Sequence, residues 1–293
     1  MKFVGSLAVS VGLSVALALE AGRSEPRAVG QVPALFPGVR SVLWVGAHPD
    51  DEVLAAPLLA RLCLEEGRRC SMLILTRGEA GVCRLPGGCL PDLASVRAGE
   101  AARSAALFRA RLVLWRLPDG GGSPRGEGEG WDAAAGGHAA LIERVSNFLA
   151  AEKPDLVLTL DPRHGSTCHD DHRAAGRLVH SALAALPHGA RRPALFLIEN
   201  KLELAPSSGS LSIRFRPAAS ALRGAMAFDA SGVLAATGRP AWRAFEDVMR
   251  RHSSQFDAPY LAAIRALPPS DRAVWLGPAD ALLLSDDGVA SCE

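Results

Sequence analysis

Ser41-Val42-Leu43-Trp44-Val45-Gly46-Ala47-His48-Pro49-Asp50-Asp51-Glu52 joins a short apolar run to a cluster of polar residues, and this junction decides the fold. The run Ser41 to Ala47 ends in small residues, and Val53 to Leu64 then places apolar positions at helical spacing, so strand, turn and helix follow one another. Pro49 keeps His48 out of helical geometry, and Asp51 falls near the first helical turn, where exposed N–H groups favour a carboxylate. The alternation continues outward from there. Cys70 to Thr76 is a second strand, Leu93 to Leu107 a helix, Leu112 to Arg116 a strand. A Gly-rich loop from Asp119 to Gly130 precedes a helix from Gly137 to Glu152 and a strand from Leu156 to Leu160. A helix from His169 to Leu186 then leads to a strand from Ala194 to Glu199. Strands alternating with helices predict an α/β fold: a mostly parallel sheet with helices on both faces and right-handed crossovers.

In such sheets the working residues gather beyond the carboxyl ends of the strands. That rule selects Ala47 to Glu52, Thr76-Arg77-Gly78-Glu79, Leu117-Pro118-Asp119 and Asp161-Pro162-Arg163-His164, which hold most of the unusual polar residues. A second cluster, Ser166-Thr167-Cys168-His169-Asp170-Asp171-His172, follows the Leu156 to Leu160 strand and opens a helix. His169 and His172 share a face at i and i+3. Each cluster has a plain reading: Asp50 and Asp51 as helix caps, Thr167 as the cap of the later helix. Taken together on one rim they supply imidazole and carboxylate donors for a cation, with three protein ligands and an open position as the catalytic zinc arrangement. No thiolate pair competes, which favours zinc, although ligand type also admits manganese, iron or nickel.

The motifs Ala47-His48-Pro49-Asp50-Asp51-Glu52, Thr76-Arg77-Gly78-Glu79-Ala80-Gly81 and Asp161-Pro162-Arg163-His164-Gly165 leading into His169-Asp170-Asp171-His172 resemble the PIG-L/LmbE family of zinc-dependent N-acetylglucosaminyl deacetylases. The resemblance runs from about Ser41 to Glu199. It implies a Rossmann-like α/β sheet and hydrolysis of the N-acetyl group of an amino sugar or glycoconjugate. By that resemblance His48, Asp51 and His172 hold Zn2+, Asp50 is the general base, and His169 assists the oxyanion and leaving group. Arg97 and Asp119 resemble positions that contact or orient substrate. Apart from the resemblance, Glu52 and Asp171 are expected to order the ligand side chains from behind. One departure stands out: some family members carry a tyrosine shortly before the HxxH segment, and Arg163 to Cys168 has none. Either His164 or Arg163 substitutes for it, or the oxyanion relies on zinc and His169 alone; in both cases a substrate other than simple N-acetylglucosamine conjugates is admitted.

Arg97 and Glu100 also admit reading as an ordinary helix-surface pair. Glu79 is expected to accept backbone N–H bonds in a turn, and His138, His180, His188 and His252 are expected to be solvated. After Lys201 the pattern changes to short alternating runs, then helices from Trp242 to His252 and near Tyr260 to Leu267. The organisation expected is therefore 1–22 as a signal peptide, 23–40 as a leader, 41–200 as the catalytic α/β domain and 201–293 as a C-terminal appendage of that domain.

The signal-peptide expectation rests on Lys2, the apolar stretch Phe3 to Ala18 and the small-residue site Ala16-Leu17-Ala18. An uncleaved anchor competes, but the stretch falls short of the roughly 20 residues that span a bilayer. A secreted or periplasmic location follows, with no transmembrane segment after cleavage. Six cysteines suit that route: Cys83 with Cys89 is the first expected disulfide, Cys63 with Cys70 the second. With 32 Lys+Arg against 31 Asp+Glu, the net charge of +1 offers no field for nucleic acid, so the expected partner is a small molecule or glycan. The competing functions are a secreted carbohydrate-binding protein with an inactive metal site, against which the Asp50 base argues, and a nucleotide-binding protein, for which no GxGxxG follows the first strand.

Overall fold

Alternate residues of β1 (Ser41–Gly46) enter two different cores: Val42 and Trp44 one, Leu43 and Val45 the other. A strand buried on both faces belongs inside a sheet covered on both sides. The computed structural model, which describes residues 36–122, 130–198, 200–207, 210–217, 226–268 and 272–278, contains that sheet. The signal-peptide segment, most of the leader and Cys292 lie outside the described residues.

β1, β2 (Arg69–Thr76), β3 (Arg111–Leu117), β4 (Leu156–Leu160) and β5 (Ala194–Ile198) pair in parallel. β6 (Asn200–Ser207) and β7 (Ser210–Pro217) form a separate antiparallel pair. β8 (Met226–Asp229) returns to the main sheet, β9 (Val233–Leu234) and β10 (Arg239–Pro240) pair with each other, and β11 (Ala273–Pro278) lies antiparallel between β5 and β8. The sheet order is β3-β2-β1-β4-β5-β11-β8. Two strands from the region beyond 201 thus extend the central sheet itself. They carry no sequence periodicity strong enough to have marked them, being four and six residues long.

The helical stretch after β1 is not uniform: a 3-10 turn Asp51–Ala55 leads through α1 (Ala56–Leu59) into a wider turn Ala60–Glu65. Cys63–Cys70 ties its end to β2, and Cys83–Cys89 closes the loop after β2, as the sequence led us to expect. Cys168 is disulfide-bonded as well. α2 (Leu93–Leu107) starts at Asp92, whose carboxylate accepts the Ser95 N–H at 2.7 Å. α3 (Trp131–Ala135) lies between the expected Gly-rich loop and the next expected helix, where no element was expected, and α4 (His138–Glu152) and α5 (Asp170–Ala184) follow the predicted spans closely. α6 (Arg243–Arg251) and α7 (Ala258–Arg265) complete the helices used below. One core joins Leu58 and Leu62 to Phe245, Val248 and Ile264; the other joins Leu141, Val145 and Leu149 to Leu178 and Val179. Each such fully buried side chain contributes about 1.5–3 kcal/mol. Among the described residues no helix is long and apolar enough to cross a membrane.

β1 has β2 on one side and β4 on the other, so the chain's winding direction reverses there. Such a reversal opens a crevice at the carboxyl ends of the two strands. Hydroxyls stitch that edge together: Thr76 Oγ1 donates to Ala47 O at 3.0 Å and Thr159 Oγ1 to Val45 O at 2.8 Å.

Candidate metal centre and cleft

The turn after β1 is strained. Asp50 has φ 116° and ψ −17°, a left-handed region that a residue with a Cβ rarely adopts. Such a residue costs about 1–3 kcal/mol and persists only where its surroundings hold it. Arg97, buried on α2, donates to Pro49 O at 2.5 Å and Gly78 O at 2.9 Å, and its Nη2 lies 3.1 Å from Asp50 Oδ2. Glu52 Oε2 accepts the Asp50 N–H at 3.1 Å. Neither plain reading of the paired aspartates survives: Asp50 makes no capping bond, and Asp51 turns back to accept the N–H groups of Ala47 at 2.7 Å and His48 at 2.9 Å.

The second cluster is also built on a tight turn. Gly165 takes φ 51°, and a Cβ there would run into His172. The cap of α5 is His169, not Thr167: His169 Nδ1 accepts the Asp171 N–H at 3.2 Å, which leaves Nε2 as its protonated nitrogen. Thr167 Oγ1 instead lies 3.1 Å from His172 Nδ1.

These two loops meet. His48 Nδ1 is 3.1 Å from His172 Nε2 and 3.7 Å from Asp51 Oδ1, and His172 Nε2 is 2.9 Å from Asp51 Oδ1. Donors about 2.0–2.2 Å from a tetrahedral cation stand roughly 3.3–3.6 Å apart, so the three atoms are spaced for one ion. The outer nitrogens support the same reading. His48 Nε2 faces Asp171 Oδ2 and Asp119 Oδ1, each at 3.0 Å, and His172 Nδ1 faces Gly165 O at 2.7 Å. Those acceptors can take the outer ring protons, which leaves His48 Nδ1 and His172 Nε2 as the nitrogens turned toward each other and open to a shared cation. The residues therefore fit a metal. The ring nitrogens of His48, His169 and His172 also lie within 4.8 Å of one another.

The electrostatics divide the carboxylates. Burial lifts the pKa of Asp50 above the usual range, against the pull of Arg97. Asp51 is held well below it, since the charge and hydrogen bond of His172 outweigh its burial. Asp119, despite desolvation, is held at about 2 by His48. Burial works against a charged His48, yet its bonds to Asp119, Asp171 and Asp51 raise its pKa well above normal. His169 is lowered, first by burial and then by the neighbouring imidazoles.

A cleft of about 320 Å³ opens over this centre, lined by Asp50, Arg97, Asp119 and His169 and, from the far end of the chain, by Gln255 and Phe256. Asp119 anchors the loops, its Oδ2 accepting Ala80 N–H at 2.7 Å while its own N–H goes to Glu79. Asp171 accepts from Gly120 and Gly122 as well as facing His48. His164 is buried, and neither it nor Arg163 lines the cleft; Thr167 does. Two expectations are corrected. Arg97 and Glu100 are not a surface pair, since Glu100 is fully buried and accepts from Ser253 and Ser254. Of the four histidines expected in solvent, His138 and His188 are exposed, but His252 is fully buried with Nε2 2.6 Å from Glu52 Oε1. Nothing local in the sequence marks His252, Gln255 or Phe256, because their role arises only when the chain folds back across 200 residues.

Fold and site define the class: the mostly parallel α/β fold of LmbE-like proteins, with a His/Asp centre at its switch point. Residues 43–183 match the family model described as PIG-L: GlcNAc-PI de-N-acetylase. It is 31% identical over 170 residues to the 1D-myo-inositol 2-acetamido-2-deoxy-alpha-D-glucopyranoside deacetylase of Geodermatophilus obscurus, covering 53% of this chain and 57% of that one. The chain spans little more than half the length of the curated relatives it matches. Its fold is similar to that of the N,N'-diacetylchitobiose deacetylase from Pyrococcus horikoshii, with a TM-score of 0.59 at 17% identity over 85% of this chain and 87% of that one. It is also similar to the 4-carboxy-2-hydroxymuconate hydratase of Pseudomonas putida, with a TM-score of 0.54 at 17% identity over 82% and 96%.

Proposed function

We propose that this chain is a zinc-dependent hydrolase that removes an acetyl or related acyl group from the nitrogen of an amino sugar or glycoconjugate. The observation that carries the proposal is the convergence of His48 Nδ1, Asp51 Oδ1 and His172 Nε2 beside a carboxylate, Asp50, with a raised pKa. Zinc bound by these donors supplies Lewis acidity, which activates water and polarises a carbonyl.

The chain's own residues do the rest. Asp50 takes the proton of the attacking water, a task helped by the burial that raises its pKa above the usual carboxylate range. The Nε2–H of a neutral His169 donates to the oxygen on which charge develops, taking the part a tyrosine plays elsewhere in the family. As the C–N bond breaks, the proton held by Asp50 passes to the departing nitrogen, leaving acetate and a free amine. Asp171 and Gly165 keep the two ligand imidazoles in the required tautomers. The apolar N-terminal stretch and the disulfides Cys63–Cys70 and Cys83–Cys89 support an exported location for this activity. The named activities of the relatives support an acetylated amino sugar as substrate.

Acetate release across a panel of N-acetylated sugars and glycoconjugates, with and without a chelator and with zinc restored, tests the proposal. Release that stops on chelation and returns with zinc is expected. Zinc binding without release from any member would favour the carbohydrate-binding alternative.

A further inference from the structure

The strained turn at Asp50 is held from a part of the chain that lies outside the family match. Glu52 is buried, and its two oxygens do separate work: Oε2 accepts the N–H of Asp50, and Oε1 lies 2.6 Å from His252 Nε2. His252 terminates α6, and no part of its ring reaches solvent. The turn that follows it is pinned by Glu100, which accepts Ser254 N–H at 2.8 Å, Ser254 Oγ at 2.6 Å and Ser253 Oγ at 3.2 Å. The second ring nitrogen, Nδ1, stands 4.0 Å from Glu100 Oε2. The imidazole is thus wedged between two buried carboxylates with no other described acceptor. Without His252, the Glu52 carboxylate would lose its buried partner and hold the Asp50 N–H less firmly, and the unfavourable φ of Asp50 would rest on Arg97 and on the Val53 N–H bond to Asp50 O.

We propose that His252 is a positioning residue for the reaction: by fixing Glu52 it holds the Asp50 backbone, and so the Asp50 carboxylate, in the orientation needed to accept a proton from water. This rests on the hydrolase reading above. It gives the segment beyond residue 183 a part in the chemistry that the family match does not cover. The role depends on an N–H at one point in space, not on the bulk of the ring.

His252→Phe fills the same space without an N–H, and His252→Gln returns an N–H at similar reach. The measurements are kcat and KM on whichever panel substrate the wild-type protein deacetylates, zinc content per chain, and Tm. For His252→Phe we expect kcat to fall roughly 10- to 100-fold, as misplacement of a catalytic group does. KM should change by less than about twofold and zinc content should stay at the wild-type value, because the ligands themselves are untouched. His252→Gln should recover most of kcat even where its Tm is the lower of the two. Full kcat in His252→Phe, or kcat that simply follows Tm across both variants, overturns the role. If His252→Phe is recovered only unfolded, the isosteric Glu52→Gln carries the test, since a single amide oxygen cannot accept from both His252 and the Asp50 N–H; kcat should fall there too, and an unchanged kcat rejects the proposal. A wild-type protein that releases acetate from nothing on the panel overturns the hydrolase reading first, and the positioning role with it.

Discussion

Arg97 grips the turn that carries Asp50 at both ends, its Nη2 lying 2.5 Å from Pro49 O and 3.1 Å from Asp50 Oδ2. The guanidinium neutralises the carboxylate without bringing its pKa down to the ordinary range, because burial of Asp50 is the larger effect. Asp50 is not among the three convergent donors, so its removal should separate chemistry from metal binding. Asp50→Asn is expected to keep its zinc while turnover falls by roughly 10²- to 10⁴-fold. Zinc content and acetate release measured on the same preparation check both halves.

His172 should behave in the opposite way. Its Nε2 faces both His48 Nδ1 and Asp51 Oδ1, so His172→Ala removes one of three donors and leaves a buried gap beside Asp51 Oδ1. Loss of stoichiometric zinc and of all activity is expected, measured by elemental analysis after dialysis. Retained stoichiometric zinc would place the ion elsewhere.

Much of this arrangement was legible in the sequence, and the boundary of what was legible has a physical basis. The parallel strands announce themselves as apolar runs because they are buried on both faces, and the motif residues fall at their ends because loops there open onto the crevice. His48, Asp51 and His172 are separated by 124 positions at most, yet each sits next to a strongly patterned strand or helix. His252 has no such marker: in Arg250-Arg251-His252-Ser253-Ser254 it looks like the polar end of a surface helix. Only the packing of α6 over α1 and α2 puts it against Glu52. The strands β8 and β11 escaped notice for a related reason, since both are short and take their place by pairing with β5 and each other.

A second charged cluster bears on stability. Glu246 on α6 accepts from Arg243, Arg250 and Arg265. Although burial alone would raise its pKa, the bonds from Arg265 and then Arg250 and Arg243 hold it at about 2. A carboxylate whose folded pKa lies below its unfolded value of about 4.3 stabilises the protein above that value. The contribution is lost as the pH falls from about 5 toward 2. Since the guanidinium groups are 39–47% exposed, the effect at neutral pH should be about 1 kcal/mol and weaken with salt. Glu246→Gln should therefore melt below the wild type at pH 7, with the gap closing toward pH 2; thermal melts over that range, at low and high salt, decide it.

Phe256 forms part of the cleft wall and packs edge-on against Tyr260, with ring centroids 5.5 Å apart, while Arg84 from the Cys83–Cys89 loop covers Tyr260 from 5.2 Å. It touches none of the convergent donors. Phe256→Ala should raise KM roughly tenfold and leave kcat near the wild-type value, the pattern of a contact made equally in ground and transition states. Steady-state kinetics on the preferred panel substrate provide the check.

The winding reversal at β1 divides the labour between centre and periphery. The convergent donors come off two strands that lie side by side in the middle of the sheet, whereas the surroundings of the opening come from loops after β2 and β3 and from the turn between α6 and α7. Insertions and deletions in those outer loops can change which acceptor is admitted while the reacting groups keep their mutual spacing. Diversification of such a scaffold can therefore proceed by remodelling its doorway, leaving the hearth untouched.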